Sequence, residues 1–152
     1  MTEMVARNPR YGDVVRSSFA RQGLMAHLGA ELTQVEPGSV EVRVRSRPEL
    51  TQQHGFLHAG VTTSVVDSAC GCAALSLMPA GSEVVSVEFK INLLAPARGH
   101  ELVARGRVLR AGRTITVCQG DAYALTDEGE VHCATMTATM FRVEAPEPDG
   151  AA

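Results

Sequence analysis

Apolar and polar residues alternate through most of the second half of the chain. In "EVVSVEFKINLL" (residues 83–94), Val85, Val87, Phe89, Ile91 and Leu93 fall on one face of an extended strand, and Ser86, Glu88, Lys90 and Asn92 fall on the other. Pro96 to Gly99 turns the chain. Two long strands, "HELVARGRVLR" and "RTITVCQGDAYAL", then flank a turn at Ala111-Gly112. "DEG" at Asp127 to Gly129 leads into "EVHCATMTATMFRV", where Thr135, Thr137, Thr139 and Phe141 share a face. Nearer the N-terminus, Pro37-Gly38 turns a hairpin in which Val40, Val42 and Val44 alternate with Glu41, Arg43 and Arg45. Val14 to Met25 reads as a short amphipathic helix.

Between these regions the period changes. After the loop "RPELTQQHGFL", the stretch "HGFLHAGVTTSVVDSACGCAALSLMP" is small and apolar from His58 onward and reads as one buried helix, stopped at Pro79 and Gly81. The β-branched run Val61 to Val66 has weak helix propensity, which burial overrides. A single long apolar helix must be covered nearly all round. The order of hairpin, helix and four-stranded meander therefore implies an α+β fold, with one curved antiparallel sheet wrapped around a central helix. Ala69, Cys70, Gly71, Cys72, Ala73 and Ala74 would let that sheet approach closely.

The length, 152 residues with 45% hydrophobic, suits one domain over 1–152 with its own core. The first dozen residues and the tail from about residue 144 read as flexible. A net charge of −3, few aromatics and no Trp argue against a nucleic-acid partner. No apolar stretch is long enough to span a bilayer, and "MTEMVARNPRYGD" lacks a signal-peptide core, so a cytoplasmic location is expected. Cys70, Cys72, Cys118 and Cys133 form no C-x-x-C pair and read as small buried hydrophobes.

The helical stretch holds a lone acid, Asp67, and no Lys, Arg or Glu. A carboxylate in apolar surroundings is costly unless paired, solvated or protonated, and such groups gather at functional sites. At the helix start, Gly55 and Gly60 allow close approach of backbone to a ligand. The first amides of a helix lack internal partners, so N–H groups near Ala59 and Gly60 are suited to polarise a carbonyl and hold a developing oxyanion. His58 and Asp67 are nine residues apart, which puts them on opposite faces of a helix and about 13 Å apart along its axis. Asp67 therefore cannot serve its own helix start. If the two cooperate, the acid comes from a second copy, in a two-fold dimer with two shared sites.

The motif "QQHGFLHAGVTTSVVDSA" resembles the hotdog-fold acyl-CoA thioesterases of the phenylacetate-pathway (PaaI-like) type, whose pattern runs Asn/Gln-x-x-Gly-x-x-His-Gly-Gly followed by an acid in the central helix. Gln52, Gly55, His58 and Asp67 match it, and Ala59 stands at the second glycine. The likeness extends through "VSVEFKINLLAPARG" and "GRVLRAGRTI" to "ATMTATMF". It implies a hotdog fold and hydrolysis of an aryl or medium-chain acyl-CoA. It also implies roles: the Ala59 N–H polarises the thioester carbonyl, Gln52 orients substrate or water, His58 bonds near the thiol leaving group, and the partner's Asp67 acts as base or nucleophile. Ser86 takes the place of a polar group that similar proteins set beside the site. Arg98, Arg110 and Arg113, in turn regions, are candidates for the coenzyme A phosphates. A dimer, further paired into a tetramer, is expected. No cofactor is implied beyond the coenzyme A of the substrate, and no metal, since His54 and His58 lack a partner at ligand spacing. A non-catalytic acyl-CoA binding or sensing protein and an enoyl-CoA hydratase are alternatives on the same fold.

Overall fold

The strands alternate much as their sequences imply, and one long helix lies along the inner face of the sheet they form. The structure, a computed structural model, describes residues 4–146. In chain order the elements are α1 (Tyr11–Ala20), α2 (Gly23–Leu28), β1 (Glu31–Glu36), β2 (Ser39–Arg45), a 3-10 turn (Pro48–Leu50), α3 (Ala59–Leu75), β3 (Ser82–Leu93), β4 (Glu101–Ala111), β5 (Ile115–Thr126) and β6 (Gly129–Glu144). The strands make one antiparallel sheet in the order β1-β2-β4-β5-β6-β3. Among the described residues, no helix is long and apolar enough to cross a membrane.

The core joins the inner faces of β2, β4, β5 and β6 to α3. Val42, Leu102, Ala104, Cys118, Ala122, Met136 and Met140 are fully buried and cluster with Val65, Val66, Ala69, Cys70 and Ala73. Removing a side chain of valine or leucine size from water contributes about 1.5–3 kcal/mol. Close approach rests on the sheet as much as on the small helix residues. A Cβ at Gly106 would stand 2.4 Å from the Ala69 backbone, and one at Gly120 would stand 2.4 Å from Val66. All four cysteines are buried and free.

Several expectations are corrected. The sheet does not cover α3 nearly all round. The helix keeps a partly exposed stripe of Gly60, Thr63, Ser64, Asp67, Ser68 and Gly71, spaced by three and four residues. Asp67 is therefore at the edge of the core, not sealed in it. The helix ends at Leu75, before Pro79. The expected single helix over Val14 to Met25 is two helices, because Gln22 is extended (φ −79, ψ 102). Residues 4–12, expected to be flexible, include buried Asn8 and the first turn of α1, and Met4 packs against the core. The corresponding expectations for residues 1–3 and 147–152 lie outside the described residues.

The alternation in β3 also breaks. Ser86 pairs with Met140 and Glu88 with Thr139, so Val87 is an extra residue, a β-bulge. Before it, Ser86 shares the helix-facing side with Val84. After it, Phe89, Ile91 and Leu93 take that side, opposite Ala138, Met136 and Ala134. Strict alternation would have turned Ser86 away from the side that Phe89 faces.

Candidate active site

The helix start is held by its own loop. Thr51 and Leu57 form an isolated antiparallel bridge, the Gln52 N–H donates to Phe56 O at 2.9 Å, and the Gly55 N–H donates to Gln52 O at 3.0 Å. Gly55 adopts φ 82 in this turn. Its glycine serves the turn, and it does not line the cavity beside it, contrary to the expected ligand contact. His58 is the N-cap of α3, and its Nδ1 accepts from the Gly60 N–H at 2.8 Å. That bond occupies one of the two amides expected to hold an oxyanion. A Cβ at Gly60 would stand 3.0 Å from the same Nδ1, so glycine there lets the imidazole close over the helix end.

Two consequences follow for chemistry. A backbone N–H can only donate, so Nδ1 is an acceptor and the neutral ring carries its proton on Nε2. His58 thus offers a donor. Among the described residues the Ala59 N–H has no acceptor, so of the two amides only that of Ala59 is left to donate to a bound group. The Gln52 side-chain oxygen accepts from the His54 N–H, and its NH2 has no acceptor among the described residues. Gln52, His58 and Ala59 line one cavity with Phe56, Leu93 and Leu94. Arg98 does not itself line the cavity, but its guanidinium lies 5.0 Å from the centre of the Phe56 ring, which does.

Asp67 sits in a different cavity. Its Oδ1 accepts from Ser86 Oγ at 2.6 Å, a contact that the bulge at Val87 makes possible. Ser86 Oγ also lies 3.4 Å from Met140 Sδ. Gln22, Ser68 and Cys72 line this cavity. Burial, and then the charge of Asp67, push the Cys72 thiol up to about 12, so it stays protonated and is no nucleophile. Ser68 adjoins Asp67 in sequence, but nothing in the residue pattern points to Gln22. It arrives from the break between α1 and α2, which only the fold reveals.

The remaining candidates lie elsewhere. Arg110 is exposed on β4, and Arg113 is in the following turn beside Leu77 and Met78, past the C-terminal end of α3. Neither lines either cavity, because the β4–β5 turn joins the strand ends remote from the helix start. Among the described residues no cluster of His, Cys, Asp and Glu is arranged to hold a metal.

Within one chain the two cavities are therefore separate. They occupy opposite ends of one edge strand: Ser86 toward the start of β3 with Asp67, and Leu93 at its end with Ala59.

Residues 54–131 match the thioesterase superfamily. A crystal structure of a thioesterase family protein from Silicibacter pomeroyi is 50% identical, with a TM-score of 0.87, covering 89% of this chain and 99% of that one. Acyl-coenzyme A thioesterase 13 of Homo sapiens is 32% identical over 91 residues, 59% of this chain and 64% of its own length. The E. coli PaaI protein of the phenylacetic acid degradation operon, 17% identical, shares the fold with a TM-score of 0.80 over 92% of this chain and 98% of its own.

Proposed function

The chain belongs to the thioesterase superfamily and is a thioester hydrolase; from that premise we propose that it hydrolyses an aryl or medium-chain acyl-CoA at sites that two copies share. The observation that carries this reading is the separation of the half-sites. One cavity holds the donors Ala59 N–H, His58 and Gln52, and the other holds the Asp67 carboxylate. The named activity of the human relative, an acyl-coenzyme A thioesterase, supports the substrate class.

The two edges of the sheet differ in a way that supports the dimer. β1 carries Glu31, Thr33, Gln34 and Glu36, the polar dress of a protected edge. β3 leaves Val85, Val87, Phe89 and Leu93 between 42% and 58% exposed. Such an edge asks for a partner. Antiparallel pairing of β3 with the partner's β3 lays the Ser86 end of one strand beside the Leu93 end of the other. Each Asp67 then faces the partner's Ala59, and the uncovered stripe of α3 is sheltered. Light scattering reads the dimer and any further pairing into a tetramer.

In this arrangement the thioester carbonyl accepts from the Ala59 N–H, and the donor strengthens its hold as charge builds on that oxygen. Gln52 orients the substrate through its free NH2. The partner's Asp67, steadied by Ser86, removes a proton from water or attacks the carbonyl directly. The C–S bond breaks, and the departing thiolate lies near the Nε2–H of His58. Water and thioester give acid and thiol, a balance that asks for no redox or metal cofactor. Arg98, held over the Phe56 ring beside the cavity, suits a coenzyme A phosphate. We propose a cytoplasmic location, where acyl-CoA substrates are available. A free-thiol release assay across aryl, medium-chain and short acyl-CoAs tests the reading: hydrolysis of at least one supports it, and none with any overturns it.

A further inference from the structure

Beside the Asp67–Ser86 pair lies a group that this reaction does not use. The chain breaks between α1 and α2 at Gln22, and the break is pinned from both sides. Arg21 Nη2 and Ser18 Oγ bond the Glu83 carboxylate at the start of β3, at 2.5 Å and 3.2 Å. Ser68 Oγ, next to Asp67 on α3, donates to Gln22 Oε1 at 2.8 Å. Ser18, Gln22 and Ser68 thereby form a hydrogen-bonding wall of the Asp67 cavity, and Cys72, Leu75 and Met140 supply its apolar part.

The polar wall has one donor left over. Ser18 and Ser68 spend their hydroxyl protons on Glu83 and Gln22. The Gln22 NH2, among the described residues, has no acceptor. Covering an unpaired amide with hydrocarbon is costly, whereas an oxygen placed there satisfies it.

We infer that Gln22 determines acyl specificity: its amide NH2 donates to a hydroxyl or keto oxygen carried on the acyl group beyond the thioester carbonyl, and Ser68 positions that amide. The inference rests on the thioesterase reading of the site and adds the kind of acyl group it takes. The carbon skeleton packs on Cys72, Leu75 and Met140. A site built to bond a substrate oxygen discriminates strongly against the analogue lacking it, whereas an extra methylene changes affinity little.

The test uses pairs of acyl-CoAs with the same carbon skeleton, with and without the oxygen. The intact protein should favour the oxygen-bearing member by at least about tenfold in kcat/KM. Gln22→Met should lower that ratio about tenfold or more, and Ser68→Ala should lower it in part. A ratio that both variants leave at its original value, even with activity reduced on both substrates, overturns the inference. The same pairs, made as non-hydrolysable thioether analogues and measured by calorimetry, separate this idea from the reaction. A Kd ratio that collapses in Gln22→Met supports the role of Gln22 even if no thioester is cleaved, in which case only the hydrolase reading fails. Equal ratios, or no binding of either analogue, overturn it.

Discussion

Ser86 Oγ donates to Asp67 Oδ1 across 2.6 Å, tying the bulged edge strand to the middle of α3. A hydrogen bond to a charged group contributes about 1.5–3 kcal/mol. If that contribution is spent on holding the acid toward its substrate, Ser86→Ala lowers kcat roughly 10- to 150-fold and changes KM little. Asp67→Asn, which keeps shape and loses the base, lowers kcat by about 10²–10⁴ while the protein stays folded and assembled. Steady-state kinetics with circular dichroism checks both, and near-normal turnover by Asp67→Asn would remove the acid from the mechanism.

His58 has two functions that can be separated. Its Nδ1 caps α3, its Nε2 carries the remaining N–H, and the residue lines the cavity. His58→Ala loses both, with a stability cost of about 1 kcal/mol for the cap. Asparagine is a good N-cap without the outer donor, so His58→Asn should melt near the original temperature yet turn over as slowly as His58→Ala. Gly60→Ala should displace the ring and impair both properties. Thermal melts and kcat on the same preparations decide. Full activity in His58→Asn would show that the Nε2–H does nothing for the reaction.

Acid stability should depend on the outer face of the sheet. Burial raises the Glu41 carboxyl, but bonds from Arg43, Arg105 and Thr33 outweigh it and hold the group below its ordinary 4.5. The bidentate bond from Arg105 depresses Glu130 likewise. The folded chain therefore binds these protons more weakly than the unfolded chain. The stabilisation is complete above the unfolded value and is lost as pH falls through the folded one. Arg105→Met should move the acid-unfolding midpoint to higher pH. The shift should be small, because the Arg105 side chain is 41% exposed, and smaller still in high salt. A midpoint that does not move would show that the network contributes nothing.

The cysteines should be silent. Burial pushes Cys118 as well as Cys72 up to about 12. It also raises Cys70 and Cys133. At pH 8 a disulfide reagent should find all four thiols unreactive in the native protein and reactive after unfolding. Rapid native labelling of even one would contradict their burial.

Much of this was legible along the chain, and the reasons differ by residue. Val40, Val42 and Val44 alternate because one face of β2 is buried, so the strand could be read locally. Gln52, His58 and Asp67 stand in a short motif, and the spacing of His58 and Asp67 already put them on opposite faces of the helix, so that they could cooperate only across two chains. The bulge at Val87 could not be read, since an extra residue shows only against its partners Met140 and Thr139 on β6. Gln22 was hidden for a similar reason: its partner, Ser68, lies 46 residues away. Arg110 and Arg113 looked plausible as turn cations, but which end of the sheet a turn occupies is set by the whole topology.

Mixing two inactive variants tests the shared site most directly. Co-expressed with separable tags, Asp67→Asn and His58→Ala chains form mixed dimers. One of the two sites then pairs an intact Asp67 with the partner's intact His58. Random pairing makes half of the dimers mixed, so activity should return to about a quarter of the original level, and to about half in purified mixed dimers. Mixed dimers no more active than either variant alone would mean that each chain builds its site by itself, contradicting the account.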